Sequence, residues 1–337
     1  MNFPQLTKED IEVIFDDLQH KNVLIIGDVM IDAYWWGSVS RISPEAPVPV
    51  VLLNKREYRL GGAANVAMNI KMLGAKPILC SIIGNDDHGT LFMDLLKDSG
   101  IKGDSILKIN DRPTTIKTRI MGNCIQQLIR IDNETEAELN PKDKSRLLEL
   151  ILTALPDADV VIFQDYDKGL ITDDMISHVV DEARTKNIPT IVDPKKRNFR
   201  FYKHVSLFKP NLKELKDGLN ITVTRPVSLE NLKLAADKVF EQMNVERLMI
   251  TLSEEGIYIN DHKEALIIPS HKRNIFDVSG AGDTVVSVAA LALASDLEPA
   301  LIAELSNIAG GLVCEKVGVV PIDRQSFIQE CIRLLIH

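Results

Sequence analysis

Residues 277–294 read DVSGAGDTVVSVAALALA, and this stretch decides how the rest of the chain is interpreted. Gly280 and Gly282 lead directly into a run of small apolar residues that is typical of a buried helix. Glycine lets the backbone approach a ligand closely, and the first N–H groups of a helix have no partners within it. With the helix dipole, these groups favour an anion such as a phosphoryl group. Asp283 lies in the predicted first turn, where its carboxylate can accept the proton of an attacking hydroxyl.

The same stretch has a simpler interpretation, in which Gly-Ala-Gly-Asp only caps a helix and Asp283 complements its dipole. It is not a Walker A loop, because GxxxxGK[ST] does not occur in the chain. It is not a dinucleotide fingerprint either, because Val285 stands where the third glycine belongs and no buried strand immediately precedes it. On these residues alone, capping and phosphate binding both stay open.

Outward from this stretch, short apolar runs alternate with predicted helices. The clearest runs are NVLIIGD (22–28), PILCSIIG (77–84), DVVIFQD (159–165), IPTIVDP (188–194) and RLMITLS (247–253). Buried strands separated by helices predict an α/β fold with a doubly wound, mostly parallel sheet. Two strand-rich excursions, at about 33–59 and 110–132, interrupt the alternation, and the second predicts a hairpin that turns near Gly122 and Asn123. We expect them to form a small β-strand lid on a single domain spanning 1–337.

The composition of the chain disfavours several classes of function. The chain has 337 residues, 45% of them hydrophobic, and a formal net charge of −9, which disfavours binding to a nucleic acid. No run of eighteen apolar residues predicts a membrane span, and the acidic N-terminus lacks the order of a secretory signal. Four widely separated cysteines without a CxxC pair indicate reduced thiols. We therefore expect a cytoplasmic protein that acts on a small molecule, without nucleic-acid or membrane partners.

Polar residues that follow the first predicted strand suit a polyol. Asp28 and Asp32 come after it, and each carboxylate can accept hydrogen bonds from two hydroxyl groups. Gly61, Gly62 and Asn65 then open a predicted helix whose first amides are exposed. The alternatives are that the aspartates belong to turns and that the glycines serve close packing of helix on sheet.

Later motifs suit a nucleotide and a phosphate. Asn211 and Glu214 stand three apart at a helix start, where they can hold water around Mg²⁺–nucleotide or form a capping box. Thr251 and Gly256 lie at a strand end and turn, which is either an edge for the nucleotide or an ordinary hairpin. Basic residues follow strands that end at the same edge, namely Lys168 and the run Lys195, Lys196 and Arg197. They can receive a phosphate of the substrate, although most surface lysines have no specific role.

The order of these motifs resembles that of the ribokinase-like, or PfkB, sugar kinases over about residues 20 to 330. The motifs are GDVMID, GGAAN, DYDKG, DP, NLKE, TLSEEG and GAGD. More narrowly, GDVMIDAYWWGSVSRISPEAPVPVV, LGGAANVAMNI and CIQQLIRID resemble the D-glycero-D-manno-heptose-7-phosphate kinases, which occur alone or as the first half of a bifunctional ADP-heptose synthase. The RISPEAPVPVV stretch is long and unusual in composition, so it carries most of this narrower resemblance.

This resemblance implies that ATP phosphorylates the C1 hydroxyl of heptose 7-phosphate to give the 1,7-bisphosphate, for ADP-heptose and lipopolysaccharide core synthesis. It implies Asp283 as base, with an anion hole formed by Gly280, Ala281 and Gly282. For Mg-ATP it implies Asn211, Leu212, Lys213 and Glu214, and of these Asn211 and Glu214 contact Mg²⁺ through water. It also implies that Thr251, Gly256 and Asn307 lie near the nucleotide. For the sugar it implies Asp28, Asp32, Gly61, Gly62, Asn65 and Lys168; contact of Lys168 with the 7-phosphate is our own physical inference. It also admits a monovalent cation and a homodimer through the lid.

Some features depart from the family pattern. Ser279 replaces the usual Thr before GAGD and keeps the hydroxyl, whereas Asp167 puts an acid beside Lys168. No HxGH signature occurs in these 337 residues, so we expect a separate enzyme to make ADP-heptose. The alternatives are a PfkB kinase of another sugar or sugar phosphate, and a catalytically silent sugar-sensing protein. A nicotinamide-dependent oxidoreductase is disfavoured by the missing GxGxxG.

Overall fold

The computed structural model describes residues 6–122, 126–223 and 227–336. In chain order the strands are β1 (Asn22–Gly27), β2 (Val29–Ile42), β3 (Pro49–Gly62), β4 (Lys76–Gly84), β5 (Ile106–Ile109), β6 (Ile116–Gly122), β7 (Gln126–Asn133), β8 (Val160–Gln164), β9 (Thr190–Asp193), β10 (Leu207–Phe208), β11 (Leu248–Thr251), β12 (Ile257–Asn260) and β13 (Ala265–Ile268). The α-helices are α1 (Lys8–Leu18), α2 (Ala63–Met72), α3 (Asp87–Asp98), α4 (Pro141–Ala154), α5 (Asp173–Thr185), α6 (Leu212–Leu219), α7 (Leu229–Met243), α8 (Ala281–Ala294), α9 (Pro299–Val313) and α10 (Arg324–Leu335).

Nine strands form one large sheet in the order β13-β12-β11-β10-β9-β8-β1-β4-β5. Every pairing from β11 to β5 is parallel, and only β12 and β13 pair antiparallel at one edge. The predicted α/β fold with a doubly wound, mostly parallel sheet is therefore confirmed.

The sheet is covered by helices on both faces, as a parallel sheet requires. Alternation along β1 shows the division: Val23 and Ile25 belong to one apolar cluster, whereas Leu24 and Ile26 belong to the other. The first cluster packs against α1, α2, α3, α8, α9 and α10, and the second against α4, α5, α6 and α7. Helix α8 is buried on nearly every side, which explains its run of alanine, valine and leucine.

A separate four-stranded sheet has the order β3-β2-β6-β7. Strands β2 and β3 form a long antiparallel hairpin, β6 pairs parallel with β2, and β7 returns antiparallel to β6. These strands contain most of the two predicted excursions, but β2 begins at Val29 and β3 ends at Gly62, so the hairpin starts directly at the end of β1. Of the predicted turn, Gly122 ends β6, and Asn123 lies outside the described residues.

Sheet register brings the candidate site together at one edge. Gly27, Gln164 and Asp193 stand side by side at the carboxyl ends of β1, β8 and β9. Further along the same edge, Asn211 and Thr251 form an isolated parallel bridge beyond β10 and β11. Ligands of open α/β sheets bind outside this edge. In the described part of the chain, no helix combines the length and hydropathy needed to cross a membrane.

Candidate active site

Asp283 lies in the first turn of α8 and is only 5% exposed. The helix begins after Gly280, whose φ of 79° lies in the left-handed region that favours glycine. Three side chains donate hydrogen bonds to the Asp283 carboxylate: Asn65 Nδ2 to Oδ2 at 2.8 Å, Gln164 Nε2 to Oδ1 at 3.0 Å and Tyr166 Oη to Oδ1 at 2.7 Å. The carboxylate is thus fixed in orientation at the N-terminus of a buried helix.

The environment of Asp283 raises its pKa to about 6. Burial is the main cause, because it disfavours the charged form, and the carboxylates of Asp193 and Asp32 act in the same direction. The hydrogen bonds from Asn65 and Tyr166 oppose them by stabilising the carboxylate. A carboxylate with a pKa near 6 is largely ionised at neutral pH and is still basic enough to take a proton from a hydroxyl group in a transition state.

Asp193, Gln164 and Lys209 form a second layer of polar side chains behind Asp283, and sequence analysis gave none of the three a role. Gln164 Nε2 donates to Asp193 Oδ2 at 3.1 Å as well as to Asp283, so one amide group joins the two carboxylates. Lys209 Nζ lies 3.0 Å from Asp193 Oδ1, and its side chain is 2% exposed. Burial raises the pKa of Asp193, but Lys209 and Lys195 outweigh it and lower that pKa. The sequence signals for this layer were the position of Gln164 and Asp193 at the ends of buried strands and the DP motif that begins at Asp193.

The predicted sugar residues Asp28 and Asp32 are both buried but differ in their contacts. Asp28 Oδ2 accepts the backbone N–H groups of Tyr166 at 2.9 Å and Lys168 at 3.2 Å. Burial, and then repulsion by Asp165, raise the pKa of Asp28 to about 7. Asp32 forms an ion pair with Arg119, on the neighbouring strand β6. Asp28 therefore ties two loops together, whereas Asp32 belongs to the face of the small sheet.

Gly61 and Gly62 are required by close packing. A Cβ atom on Gly61 would lie 2.2 Å from Oδ2 of Asp32, and one on Gly62 would lie 2.4 Å from the carbonyl oxygen of Asp28. Gly62 also has a φ of 58°, and it is the N-cap of α2. The structure thus supports the packing explanation for these glycines, and their second effect is to place Asn65 of α2 against Asp283.

Lys168 is 8% exposed and pairs with acids of the segment that follows β7. Its Nζ lies 2.8 Å from Glu134 Oε1 and 3.6 Å from Glu136 Oε1. Its backbone carbonyl accepts a hydrogen bond from Arg112, and burial lowers the pKa of the Arg112 guanidinium while Asp28 opposes that shift. Lys168 is therefore held by Glu134 and Glu136 and not by the neighbouring Asp167. Arg112 is a further basic residue at this edge, and the sequence analysis did not suggest it.

On the other side of the α8 N-terminus lies an open cleft of about 650 Å³. Six residues predicted for the nucleotide or the anion hole line it: Asn211, Thr251, Gly256, Ala281, Gly282 and Asn307. Apolar side chains of Ile257, Ile275, Val278 and Val285 line it too, together with the run Ser270, His271, Lys272 and Arg273. Of the other predicted nucleotide residues, Leu212 is buried and Lys213 is exposed. The volume of the cleft lies within the range of pockets that bind small molecules.

Mg²⁺ is the metal that the resemblance implies, through Asn211 and Glu214. These residues form a capping box for α6: Glu214 N–H donates to Asn211 Oδ1, and Asn211 N–H donates to Glu214 Oε2, both at 2.9 Å. The remaining oxygen of Glu214 pairs with Lys195. Within residues 6–122, 126–223 and 227–336, no cluster of three His, Cys, Asp or Glu side chains is arranged to hold a metal. The donors fit an ion that is bound mainly by nucleotide phosphates and reaches the protein through water.

Comparison with known proteins gives a consistent result. The model of the family described as pfkB family carbohydrate kinase matches residues 20–324. Two proteins named bifunctional protein HldE, from Pelobacter propionicus and Campylobacter curvus, are each 38% identical to this chain over 93% and 88% of its length. The chain spans 64% and 62% of the length of these relatives.

Solved structures resemble the fold at lower identity. Phosphofructokinase-2 from Escherichia coli, solved in complex with fructose-6-phosphate, is 18% identical, with a TM-score of 0.76, over 94% of this chain and 100% of that one. Ribokinase of Arabidopsis thaliana, solved with ribose and ATP, is also 18% identical, with a TM-score of 0.71, over 92% and 98% of the two chains.

Proposed function

The chain belongs to the pfkB family of carbohydrate kinases, and on that premise we propose that it transfers the γ-phosphoryl group of ATP to the C1 hydroxyl of D-glycero-D-manno-heptose 7-phosphate. The observation that carries the proposal is the buried Asp283, held by three donors at a helix N-terminus that also borders the open cleft. Support for the heptose comes from the resemblance of the RISPEAPVPVV and LGGAANVAMNI stretches, and from relatives that are 34–38% identical and share the name HldE.

The proposed reaction is an in-line displacement. The sugar hydroxyl oxygen forms a bond to the γ-phosphorus, and its proton passes to the carboxylate of Asp283. The bond between the γ-phosphorus and the bridging oxygen breaks, and its electron pair leaves with ADP. The N–H groups of Gly280, Ala281 and Gly282 stabilise the charge on the transferring group. A bound Mg²⁺ would neutralise phosphate charge beside Asn211 and Glu214.

The remaining predicted residues orient the two substrates. Asp32 and Asn65 hold sugar hydroxyls, and Asp28 keeps the loop that contains Lys168 in place through its backbone bonds. Lys168, with Arg112 beside it, faces the phosphate of the sugar. Thr251, Gly256 and Asn307 hold the nucleotide in the cleft.

The test is ADP release with Mg-ATP against heptose 7-phosphate, fructose 6-phosphate, fructose and ribose. We expect kcat/KM for heptose 7-phosphate to exceed the others by about 100-fold or more, because a phosphate and extra hydroxyls add several specific contacts. Activity on another member of the panel would keep the kinase and reject the heptose. Sugar binding without ADP release would indicate a sensor.

We also propose that the small sheet serves as a lid and as the contact of a homodimer. Supporting residues are Ile129 and Ile131, which are 56% and 53% exposed and lie on one face of the edge strand β7. Burial of such side chains in a second copy would remove apolar surface from water. Ile131→Asp should convert a dimer into a monomer in light scattering, whereas a wild-type monomer would reject the proposal.

A further inference from the structure

Lys195 occupies the boundary between the base and the nucleotide cleft. It follows β9 at the carboxyl edge of the large sheet, two residues after Asp193. Its side chain is 28% exposed, so it is sheltered but still accessible to a ligand. Neither the reaction proposed above nor the residues that the family resemblance implies give this lysine a role.

Two contacts join Lys195 to the base. Its Nζ lies 5.4 Å from the centre of the Tyr166 ring, and the hydroxyl of that ring donates to Asp283 at 2.7 Å. Asp193, whose charge attracts Lys195, shares the Gln164 amide group with Asp283. The ammonium group is therefore held over the side chain that orients the base.

Two further contacts join Lys195 to the nucleotide side. Its Nζ pairs with Oε1 of Glu214, whose Oε2 accepts the N–H group of Asn211 in the cleft lining. A Cβ atom on Gly282 would lie 3.9 Å from Oδ2 of Asp193, an ordinary van der Waals contact, so the proposed anion hole adjoins the acid that attracts Lys195. In the proposed reaction, a phosphoryl group that passes from the cleft to a hydroxyl at Asp283 comes close to Gly282 and therefore to these acids and Lys195.

We propose that Lys195 is a catalytic residue that contacts the γ-phosphoryl group of bound ATP and stabilises its charge during transfer, opposite the N-terminus of α8. The proposal rests on the proposed function, since it assumes that ATP occupies the cleft. As the hydroxyl oxygen bonds to phosphorus and the bridging oxygen leaves with ADP, Lys195 keeps its protons and supplies only charge. Burial alone would lower the pKa of Lys195, but Asp193 and Glu214 raise it, so the ammonium group stays charged.

Other cations of this edge are less suited to the task. Lys209 is 2% exposed and held by Asp193, and Lys168 is 8% exposed and paired with Glu134. Lys195 is the more accessible, and its partner Glu214 stays anchored by the capping box when the lysine turns towards a phosphate. Lysine binds phosphate as a flexible point charge, which suits a group that moves.

The experiment compares the affinities of MgADP and of Mg-AMP-PCP, a non-hydrolysable ATP analogue, by calorimetry without any sugar. In Lys195→Met we expect affinity for Mg-AMP-PCP to fall by about 10-fold or more while that for MgADP changes by less than about threefold, because only the analogue carries a γ-phosphoryl group. Lys195→Arg should keep most of the preference. Lys203→Met, an exposed lysine away from the site, is the matched control and should behave as the wild type.

Turnover provides the second measurement, with whichever sugar the wild type phosphorylates best. We expect kcat of Lys195→Met to fall by about 100-fold with KM for that sugar little changed. Equal loss of affinity for both nucleotides, or no loss for either, would overturn the role of Lys195. Because the binding arm needs no sugar, rejection of the heptose would leave this test intact, and failure of the wild type to bind either nucleotide would instead reject the kinase.

Discussion

The two sides of Gly282 are built in opposite ways. On one side, the cleft that we propose for the nucleotide is open and lined by glycine, apolar side chains and the polar and basic run Ser270, His271, Lys272 and Arg273. On the other, Asp283 lies in a closed network of charged and polar side chains that come from α2, β8, β9 and the loop after β8. In the proposed function, the cleft side binds the nucleotide, whereas the other side depends on the pKa and orientation of a single carboxylate. Substitutions on the two sides should therefore affect different kinetic constants.

The largest effect should come from the base. In Asp283→Asn we expect kcat to fall by about 1,000-fold or more, because the amide keeps the shape but cannot accept the proton. The dissociation constant for Mg-ATP should stay within about threefold, since the cleft is on the other side of Gly282. Single-turnover kinetics and calorimetry measure the two quantities. A loss of ATP affinity with normal turnover would contradict the assignment of Asp283.

The substitution Gly282→Ala would test the position of Gly282 between the cleft and Asp283. Gly282→Ala should lower kcat by about 10- to 100-fold, because the methyl group enters the space of the transferring phosphoryl group. The nearest atom to that methyl group, Oδ2 of Asp193, is 3.9 Å away, so the free energy of unfolding should hardly change. Thermal unfolding and steady-state kinetics measure both effects.

Gly62→Ala is the matched control for that substitution. Its methyl group would clash with the carbonyl oxygen of Asp28, and its φ of 58° disfavours alanine. We expect a loss of about 1–3 kcal/mol in the free energy of unfolding. If Gly282→Ala destabilised the protein as much as Gly62→Ala, then Gly282 would be a packing residue.

A smaller effect should appear on the sugar side alone. Lys168→Ala should raise KM for the phosphorylated sugar by about 10-fold and leave KM for ATP within about twofold, because a charge-assisted contact to the sugar phosphate is lost. Lys144→Ala removes a half-buried lysine that pairs with Asp174 and is the control. An unchanged KM for the sugar would remove Lys168 from the phosphate site.

The same contrast explains what the sequence could predict. The α8 N-terminus and the cleft residues Asn211, Thr251 and Gly256 stand in short motifs, where local spacing places them at strand ends and helix starts. The parallel sheet followed from apolar runs that alternate with helices. These features depend on contacts between neighbours in sequence, so a pattern of a few residues is enough.

The network around Asp283 could not be predicted in the same way. Gln164 and Tyr166 are 119 and 117 residues from Asp283, and their contacts arise only from the register of β1, β8 and β9. The pairing of Lys168 with Glu134 likewise depends on where β7 returns to the large sheet. Sequence analysis singled out Asp283, Asn65 and Asp32, but it did not predict that Gln164 and Tyr166 donate hydrogen bonds to Asp283.

The most direct test of the account compares the pH dependence of kcat/KM in the wild type and in Tyr166→Phe, with the same sugar. Titration of the substrate phosphates is common to both proteins, so a difference reports on Asp283. The pKa of Asp283 is about 6 because burial raises it, and the hydrogen bond from the Tyr166 hydroxyl keeps it from rising further. Loss of this hydroxyl should therefore raise the pKa of Asp283. In the profile of kcat/KM against pH, the acid limb, where Asp283 becomes protonated, should move to higher pH by about 0.5–1 unit. Acid limbs that superimpose would contradict the claim that ionisation of Asp283 controls the reaction.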